Sequence, residues 1–289
     1  MLLGVAAGGE FLDLDESWAP LAEALAGMGI EARVAAWDDP GVDWGRYDLV
    51  SVMYAWGYVT RREAFLDWVD ATATLTTVVN DPAILRWNSD KTYLGDLDRS
   101  GIPVVPTVWV PPGAPWEPPA ADYVIKPSVA SGGLGAARYR SSPRHVVDGH
   151  VRRLHDAGHT VMLQPYCDSV DAAGETALVF IGGRFSHTVT KEGLLVADAG
   201  ETERLWEREV VTPGIATPAQ QRVAEAVMAT VTARFAPTVY ARMDLVDDEG
   251  GCPRVLEAEL VEPSLFLAAG DRAAQRLAAA LANRIGRST

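Results

Sequence analysis

The stretch YVIKPSVASGGLGAAR, residues 123–138, constrains this chain more than any other. It reads as a short apolar strand that ends on a lysine and runs into a loop of small residues. Tyr123, Val124 and Ile125 favour an extended, buried backbone, which predicts Lys126 at the edge of a sheet. Pro127 has no N–H to donate and ends the hydrogen-bond ladder there. Residues 128–135 then offer backbone N–H groups with almost no side-chain bulk, which suits close approach to an anion. Taken alone, the stretch fits two readings. It is either a fixed ammonium beside an amide-rich flap that grips a polyphosphate, or an ordinary glycine-rich surface loop.

Ahead of it the pattern alternates between strand and helix. Residues 2–6 read as a strand and residues 17–27 as a helix, with Leu21, Leu25 and Met28 at helical spacing. Residues 30–36 and 48–54 read as strands, 60–69 as a helix with Phe65, Trp68 and Val69 on one face, and 75–79 as a strand. This β-α-β order predicts a small parallel sheet covered by helices. Asn80-Asp81-Pro82 breaks the pattern, and Asn88-Ser89-Asp90 is a capping signal for a helix over 91–99 that Gly101 ends. Residues 103–110 read as extended, and the proline-rich 111–120 as a surface loop.

After the glycine-rich stretch come a helix over 143–156 and a strand over 161–164 that Pro165 interrupts. Strands over 176–181 and 185–190 meet at Gly182-Gly183, a good hairpin turn. Strand-like 203–211, a helix over 218–235, strands over 240–246 and 254–261, and a helix from Asp271 complete the chain.

Composition limits what such a chain does. It has 289 residues, 48% of them hydrophobic and 22% charged, which is enough for two or three compact units. A net charge of −14 argues against general nucleic-acid affinity, although a few lysines and a divalent metal still set the field at one nucleotide site. Cys167 and Cys252 are far apart and form no C-x-x-C pattern, so a reducing cytoplasm fits best. The N-terminus has no basic region before its short apolar run, and no stretch approaches the roughly 18–20 apolar residues of a membrane helix. A cytoplasmic protein without membrane or nucleic-acid partners is expected.

Several familiar signatures fail. No G-x-x-x-x-G-K-[ST] occurs, because the lysine precedes the glycines. Gly133-Leu134-Gly135 starts a dinucleotide fingerprint, but Arg138 stands where the last glycine belongs and no clear helix follows. His155 and His159 have the spacing of helical metal ligands, yet Gly158 weakens the helix and no third ligand is near in sequence, so a solvated helix end is the better reading.

The acidic residues near the C-terminus are more informative. Glu257 and Glu259 lie two apart in VLEAELVEP, so in a strand they share a face. Asp244, in YARMDLV, would meet them from a neighbouring antiparallel strand. Three carboxylates on one face of an apolar sheet repel one another and call for a cation, for which hard oxygen ligands suit Mg²⁺. A solvated acidic strand face is the competing reading, weakened by the apolar neighbours Met243 and Leu245.

The ordered set of Lys91, Lys126 with its loop, Gln164-Pro165-Tyr166, Glu175, Lys191, Arg242, Asp244, Glu257 and Glu259 resembles the ATP-grasp superfamily. NDPAILRWNSDKTYL is similar to the entry of the ATP-binding part in prokaryotic glutathione synthetase-type members. QPYCDSVDAAGETALVFIGGRFSHTVTK and LEAELVEPSLFL are closer still to the cycloserine-pathway O-ureido-serine cyclo-ligase group. The resemblance spans roughly residues 80–268.

It implies a mixed α/β and α+β architecture: a small N-terminal parallel α/β domain over 1–86, a central ATP-grasp subdomain over 87–163 and a C-terminal one over 164–289. It further implies that Lys91 and Lys126 neutralise the α- and β-phosphates of ATP, with the 128–135 loop, including Ser128, Ser131, Gly132 and Gly133, closing over the phosphate tail. Gln164 and Tyr166 would lie at the adenine hinge, with Glu175 on the ribose. Asp244, Glu257 and Glu259 would hold Mg²⁺, with Glu259 where glutathione synthetase-type enzymes commonly have Asn. Lys191 and Arg242 would meet the transferring phosphoryl group.

One departure stands out. Cyclo-ligase-like relatives tend to carry a segment resembling R-S-x-W-D-Y, and here the matching stretch is Met53-Tyr54-Ala55-Trp56-Gly57-Tyr58. Trp56 and Tyr58 remain as candidate substrate contacts, or as core residues, while the charged positions are Met53 and Gly57. The expected function is an ADP-forming ligase that activates an amino-acid-type carboxylate as an acyl phosphate and joins it to an amine. Ring closure of the O-ureido-serine type, a non-catalytic ATP-binding module and an acyl-phosphate-releasing kinase are the alternatives. A homodimer is implied by the resemblance alone.

Overall fold

The computed structural model describes residues 1–9, 17–203 and 210–286. Three sheets follow one another along the chain. The first is parallel, with strands β1 (Leu2–Ala7), β2 (Glu31–Ala36), β3 (Leu49–Tyr54) and β4 (Val78–Val79) in the order β2-β1-β3-β4. Helices α1 (Trp18–Gly27) and α2 (Arg62–Ala73) provide the crossovers, as the alternating sequence pattern requires. β1 and β3 read as continuous apolar runs because both of their faces are covered. One cover comes from far away: α8 (Ala273–Ile285) packs its buried Leu277 and Leu281 with Leu21 and Leu25 of α1.

Between the first and second sheets lie two helices where one was expected. Asp81 caps α3 (Pro82–Asn88) by accepting from the Ala83 N–H at 2.9 Å, with Pro82 at the first helical position. After a turn, α4 (Tyr93–Arg99) follows. Asn80-Asp81-Pro82 is thus a helix start. Gly101, at φ +82°, ends the second helix as expected. Three further expectations need trimming. Only Val78–Val79 pair as a strand while Leu75 is exposed, Met28 sits exposed past the end of α1, and the extended 103–110 stretch is a strand only at β5 (Val108–Val110).

The second sheet is antiparallel, in the order β5-β8-β6-β7, with β6 (Tyr123–Pro127), β7 (Ala137–Tyr139) and β8 (Val161–Pro165); α5 (Arg144–Asp156) packs on it. β6 is therefore an inner strand and not an edge. Lys126 stands at the end of that strand, where β7 has already stopped pairing and only β8 continues. The expected boundary after residue 163 falls inside β8.

The third sheet has the order β11-β10-β9-β12-β13 and is antiparallel throughout. A short helix, α6 (Ser169–Ala173), leads into β9 (Glu175–Ile181), which turns into β10 (Arg184–Lys191) through Gly182 and Gly183 at φ +59° and +76°. Two positive-φ residues make the tight hairpin that sequence suggested. β11 (Val211–Gly214), α7 (Pro218–Arg234), β12 (Tyr240–Asp247) and β13 (Pro253–Glu259) complete it. Most of the strand expected over 203–211 lies outside the described residues. Thr217 and Gln220 form a reciprocal capping box at the start of α7.

Buried polar side chains fix the first sheet on the third. Asn80 donates to the Tyr240 and Leu260 carbonyls and accepts from the Val239 N–H, at 2.7–2.9 Å. Asn88 bonds the Ala258 carbonyl and the Leu260 N–H, both at 2.7 Å, while the Tyr93 hydroxyl accepts from the Ala258 N–H at 2.8 Å. The Trp56 indole N–H donates to the Glu262 carbonyl at 3.0 Å. Backbone groups past the end of β13 thus find partners without a further strand. Among the described residues no helix is long and apolar enough to cross a membrane.

Candidate functional site

The ends of β6, β8, β9, β10 and β13 open onto one cavity of about 1360 Å³, counting its mouth. Its lining includes Tyr58, Lys91, Lys126, Ser131, Gly132, Gly133, Gln164, Tyr166, Glu175, Lys191, Glu257 and Glu259, all expected at the site from sequence. Val124, Val170, Val246 and Leu256 add an apolar floor. Leu256 reaches that floor because β13 bulges there: Asp244 pairs with Glu257 and Leu245 with Val255, leaving Leu256 unopposed.

Four expected residues lie elsewhere. Asp244 and Arg242 are buried behind the lining at 2% and 3% exposure. Ser128 is buried beside the cavity, where its N–H donates to the Thr160 carbonyl and its carbonyl accepts from the Lys91 N–H. Its part is to brace the loop. Trp56 packs in the core of the first sheet.

The glycine-rich loop follows β6. Gly133 has φ +77° with open space where a Cβ would stand, while Gly135 combines φ +70° with a Cβ position 3.3 Å from the Pro127 ring. Only glycine meets both demands at 135. The loop leans on a later segment, since the Gly135 N–H donates to the Thr202 carbonyl and the Thr202 N–H to the Ala136 carbonyl. His150 lies under it, its Nε2 3.1 Å from the Gly135 carbonyl and 3.4 Å from a Glu201 carboxylate oxygen, and its Nδ1 2.9 Å from the Tyr139 hydroxyl.

The charged groups are mostly matched. Arg242 grips Asp244 with two N–H groups at 2.8 and 2.9 Å, and donates to Glu259 at 2.6 Å and to the Ser264 carbonyl at 3.0 Å. Lys191 lies 2.8 Å from Asp244 and 3.0 Å from Glu175, its partner across the β9–β10 ladder. Lys91 pairs with Glu257 at 2.9 Å and donates to the Ala130 carbonyl at 2.5 Å, tying the loop to β13. Burial alone would raise the Asp244 carboxyl, but Arg242 and Lys191 outweigh it and hold the group far below the usual carboxylate range. Burial is likewise outweighed at Glu257, which Lys91 and Lys126 keep ionised. Glu259 differs: burial, against Arg242 and aided by Asp244 and Glu257, pushes it up to about 8.

The three carboxylates expected to share a metal therefore do not form one cluster. Among the described residues no group of three His, Cys, Asp or Glu side chains stands in metal-holding positions. Both Asp244 oxygens are engaged by cations, whereas Glu257 and Glu259, which line the cavity, each engage one oxygen and leave the other without a hydrogen bond or ion pair among the described residues. Two free hard oxygens on one face still suit Mg²⁺.

Lys126 has no hydrogen bond or ion pair to any described residue, and burial pulls its ammonium below the ordinary lysine range. Glu257 and Glu175 are near enough to favour the charge, but burial outweighs them and neither makes direct contact. The segment expected to form an adenine hinge is already furnished with partners. The Arg138 guanidinium lies 3.4 Å from the centre of the Tyr166 ring, Tyr166 donates to Asp171 at 2.6 Å, and Gln164 spends its amide on Thr107. One face of Tyr166 is thus already covered.

Arg138 belongs to a strand, β7, so no dinucleotide-type helix follows the glycines. His155 sits on α5 with Nε2 3.0 Å from the Val110 carbonyl, and the helix ends before His159. The two histidines share no helix face. Sequence reasoning missed Glu262, Asn88 and Leu256 in the lining. Glu262 carried a signal, as a charge between the apolar Val261 and a proline.

Comparison with known proteins fits this geometry. Residues 2–80 match the family described as the N-terminal domain of D-cycloserine synthetase DcsG. The cycloserine biosynthesis protein DcsG of Streptomyces lavendulae is 36% identical over 197 residues, 65% of this chain and 66% of that protein. The crystal structure of D-cycloserine synthetase DcsG superposes with a TM-score of 0.89 at 34% identity, over 99% of this chain and 100% of the other. The ATP complex of D-alanine–D-alanine ligase from Bacillus anthracis, at 14% identity, has a TM-score of 0.64 over 99% and 98% of the two chains and shares the fold.

Proposed function

Because this chain belongs to the family of D-cycloserine synthetase DcsG, among the ATP-grasp ligases, we propose that it uses ATP to form a C–N bond by ring closure within an amino-acid-derived substrate. The observation that carries the reading is the distribution of charge in the cavity. Lys126 has no direct hydrogen bond or ion pair among the described residues, lies beside an amide-rich loop and faces a lining that also holds Lys91 and Lys191. A polyphosphate supplies the missing negative charge, and the loop N–H groups add donors that cost no side-chain ordering.

Each residue then has a task. Lys126 and Lys91 hold the phosphate tail, and residues 131–133 close over it. The hinge at 164–167 and the floor of Val124, Val170, Val246 and Leu256 take the base, while Glu175 orients Lys191 and is within reach of a ribose. Mg²⁺ fits the free oxygens of Glu257 and Glu259 and, when bound, would neutralise phosphate charge. Lys191 stabilises the phosphoryl group as it passes to the substrate carboxylate, while Arg242, expected beside it from sequence, acts from behind the lining by holding Asp244 and Glu259. An oxygen of the carboxylate attacks the γ-phosphorus and ADP leaves. The substrate's own nitrogen then attacks the acyl carbon, phosphate departs and the nitrogen gives up a proton.

A second reading, in which a separate amine attacks, is favoured by one feature. Met53 is buried at 4% exposure in the first core and Gly57 lies in the 3-10 turn that carries Tyr58, so the charges of the R-S-x-W-D-Y pattern are missing from the segment around Tyr58. Incubation with ATP, Mg²⁺ and O-ureido-serine, or an amino-acid panel, decides between them. Phosphate release from a single substrate is the expected result, and a strict requirement for an added amine would establish the second reading.

A further inference from the structure

Glu262 is the buried carboxylate of the cavity lining that the reaction scheme leaves unused, Glu192 being the exposed one. It lies just past β13, lines the cavity and is 7% exposed. Its carboxylate makes no hydrogen bond or ion pair to any described residue. The cations around it are committed elsewhere, Lys91 to Glu257, and Arg242 to Asp244 and Glu259. The backbone leaves it little room to escape. Its carbonyl accepts from the Trp56 indole, Leu260 is packed in the core of the third sheet and Val261 in that of the first. Burial, with the nearby Glu259, raises its pKa well above the ordinary carboxylate range, so without a partner it is held as the neutral acid, and a ligand that supplies a positive charge restores the carboxylate.

The setting indicates which ligand. Tyr58 lines the same part of the cavity, its hydroxyl without a partner among the described residues, and Glu262 is the charged group that bears on it most. A carboxylate beside a hydroxyl oxygen matches the N–H donors of a primary ammonium. Glu262 is clamped to the first sheet through Trp56, whereas Lys126 and the glycine-rich loop belong to the second.

We infer that Glu262, with the Tyr58 hydroxyl, binds the ammonium group of the substrate, so that the enzyme selects α-amino acids over acids lacking that group. The inference rests on the ligase reading above. It assigns Glu262 to substrate selection, apart from the proposed metal carboxylates Glu257 and Glu259.

The test pairs each acid of a panel, D-serine derivatives included, with its des-amino counterpart, in wild-type protein and in Glu262→Gln and Glu262→Ala. ATP-dependent phosphate release gives kcat and KM, and calorimetry with an ATP analogue and Mg²⁺ gives nucleotide affinity. Glu262→Gln should raise KM for the amino acid about 100-fold. Nucleotide affinity should stay within about twofold, and the preference for the amino acid over its des-amino partner should collapse. An unchanged KM and preference in both variants would overturn the assignment. So would an equal loss of nucleotide affinity, which would make Glu262 part of the metal site. So would a fall in kcat at constant KM with a shifted pH profile, which would make it a base. If the wild type consumes ATP with no member of the panel, the ligase reading itself fails and this inference falls with it.

Discussion

Lys126→Met and Lys91→Met remove the same charge from the same cavity, yet they should affect the fold in opposite ways. Lys126 has no partner among the described residues, and burial lowers its pKa, so the folded protein holds this ammonium at a cost. Removing it should leave stability unchanged or raise it by up to about 1 kcal/mol. Lys91 is paired with Glu257 and bonded to the Ala130 carbonyl, so its loss strands a carboxylate. A fully buried pair broken in this way costs about 3–5 kcal/mol. The Glu257 side chain is 24% exposed to the cavity, which lets water reach it and reduces the expected loss to about 1–3 kcal/mol. Nucleotide binding should report the other half of the argument. A charge-assisted contact to phosphate is worth roughly 2–3 kcal/mol, so Lys126→Met should weaken ATP binding about 30- to 150-fold. Thermal unfolding and calorimetry with an ATP analogue on both variants measure these quantities. A melting temperature lowered as far by Lys126→Met as by Lys91→Met would refute the reasoning, as would ATP affinity within about threefold of wild type.

Glu257→Gln should abolish ATP-dependent phosphate release while leaving the circular dichroism spectrum intact, because it removes an oxygen proposed to hold Mg²⁺ and the charged partner of Lys91; full activity at saturating Mg²⁺ would take it out of the site. Asn88→Ala strands the Ala258 carbonyl and the Leu260 N–H in the core, and chemical denaturation should show a loss of about 2–4 kcal/mol. An effect under about 0.5 kcal/mol would mean that water replaces the amide. Burial lowers the pKa of His150, so the unfolded chain binds its proton first as pH falls. Stability from this group is fully present above about pH 6.5 and is lost as pH drops from there toward the folded-state pKa. Melting temperatures between pH 7.5 and 5.5 should therefore fall, and fall less steeply in His150→Gln; equal slopes would remove His150 from the account.

What was legible in the sequence was mostly local or carried by short motifs. The Gly182-Gly183 turn, the β-α-β order of the first 80 residues and the two-residue spacing of Glu257 and Glu259 each need only neighbouring residues. They appear in the structure as read. Features that depend on distant partners were hidden. Asn80 and Asn88 look like loop and cap residues, yet both spend their amides on backbone groups at 239–260. Lys126 looked like an edge residue because Pro127 follows it, but β8 and β7 flank its strand on either side. Asp244 and Glu257 pair across β12 and β13, as an antiparallel reading expects, but Lys191, which claims Asp244 together with its strand neighbour Arg242, arrives from another strand. The bulge at Leu256 left no mark in its own residue type.

The most direct test of the central claim follows an oxygen atom. If the substrate carboxylate is activated by phosphoryl transfer from ATP, a substrate carrying ¹⁸O in that carboxylate must deliver one ¹⁸O to the phosphate released with the product. Mass spectrometry of the phosphate after turnover by the purified protein reads this directly. The account predicts singly labelled phosphate in proportion to product. Unlabelled phosphate formed alongside product would show that the carboxylate never receives the phosphoryl group, and would contradict it.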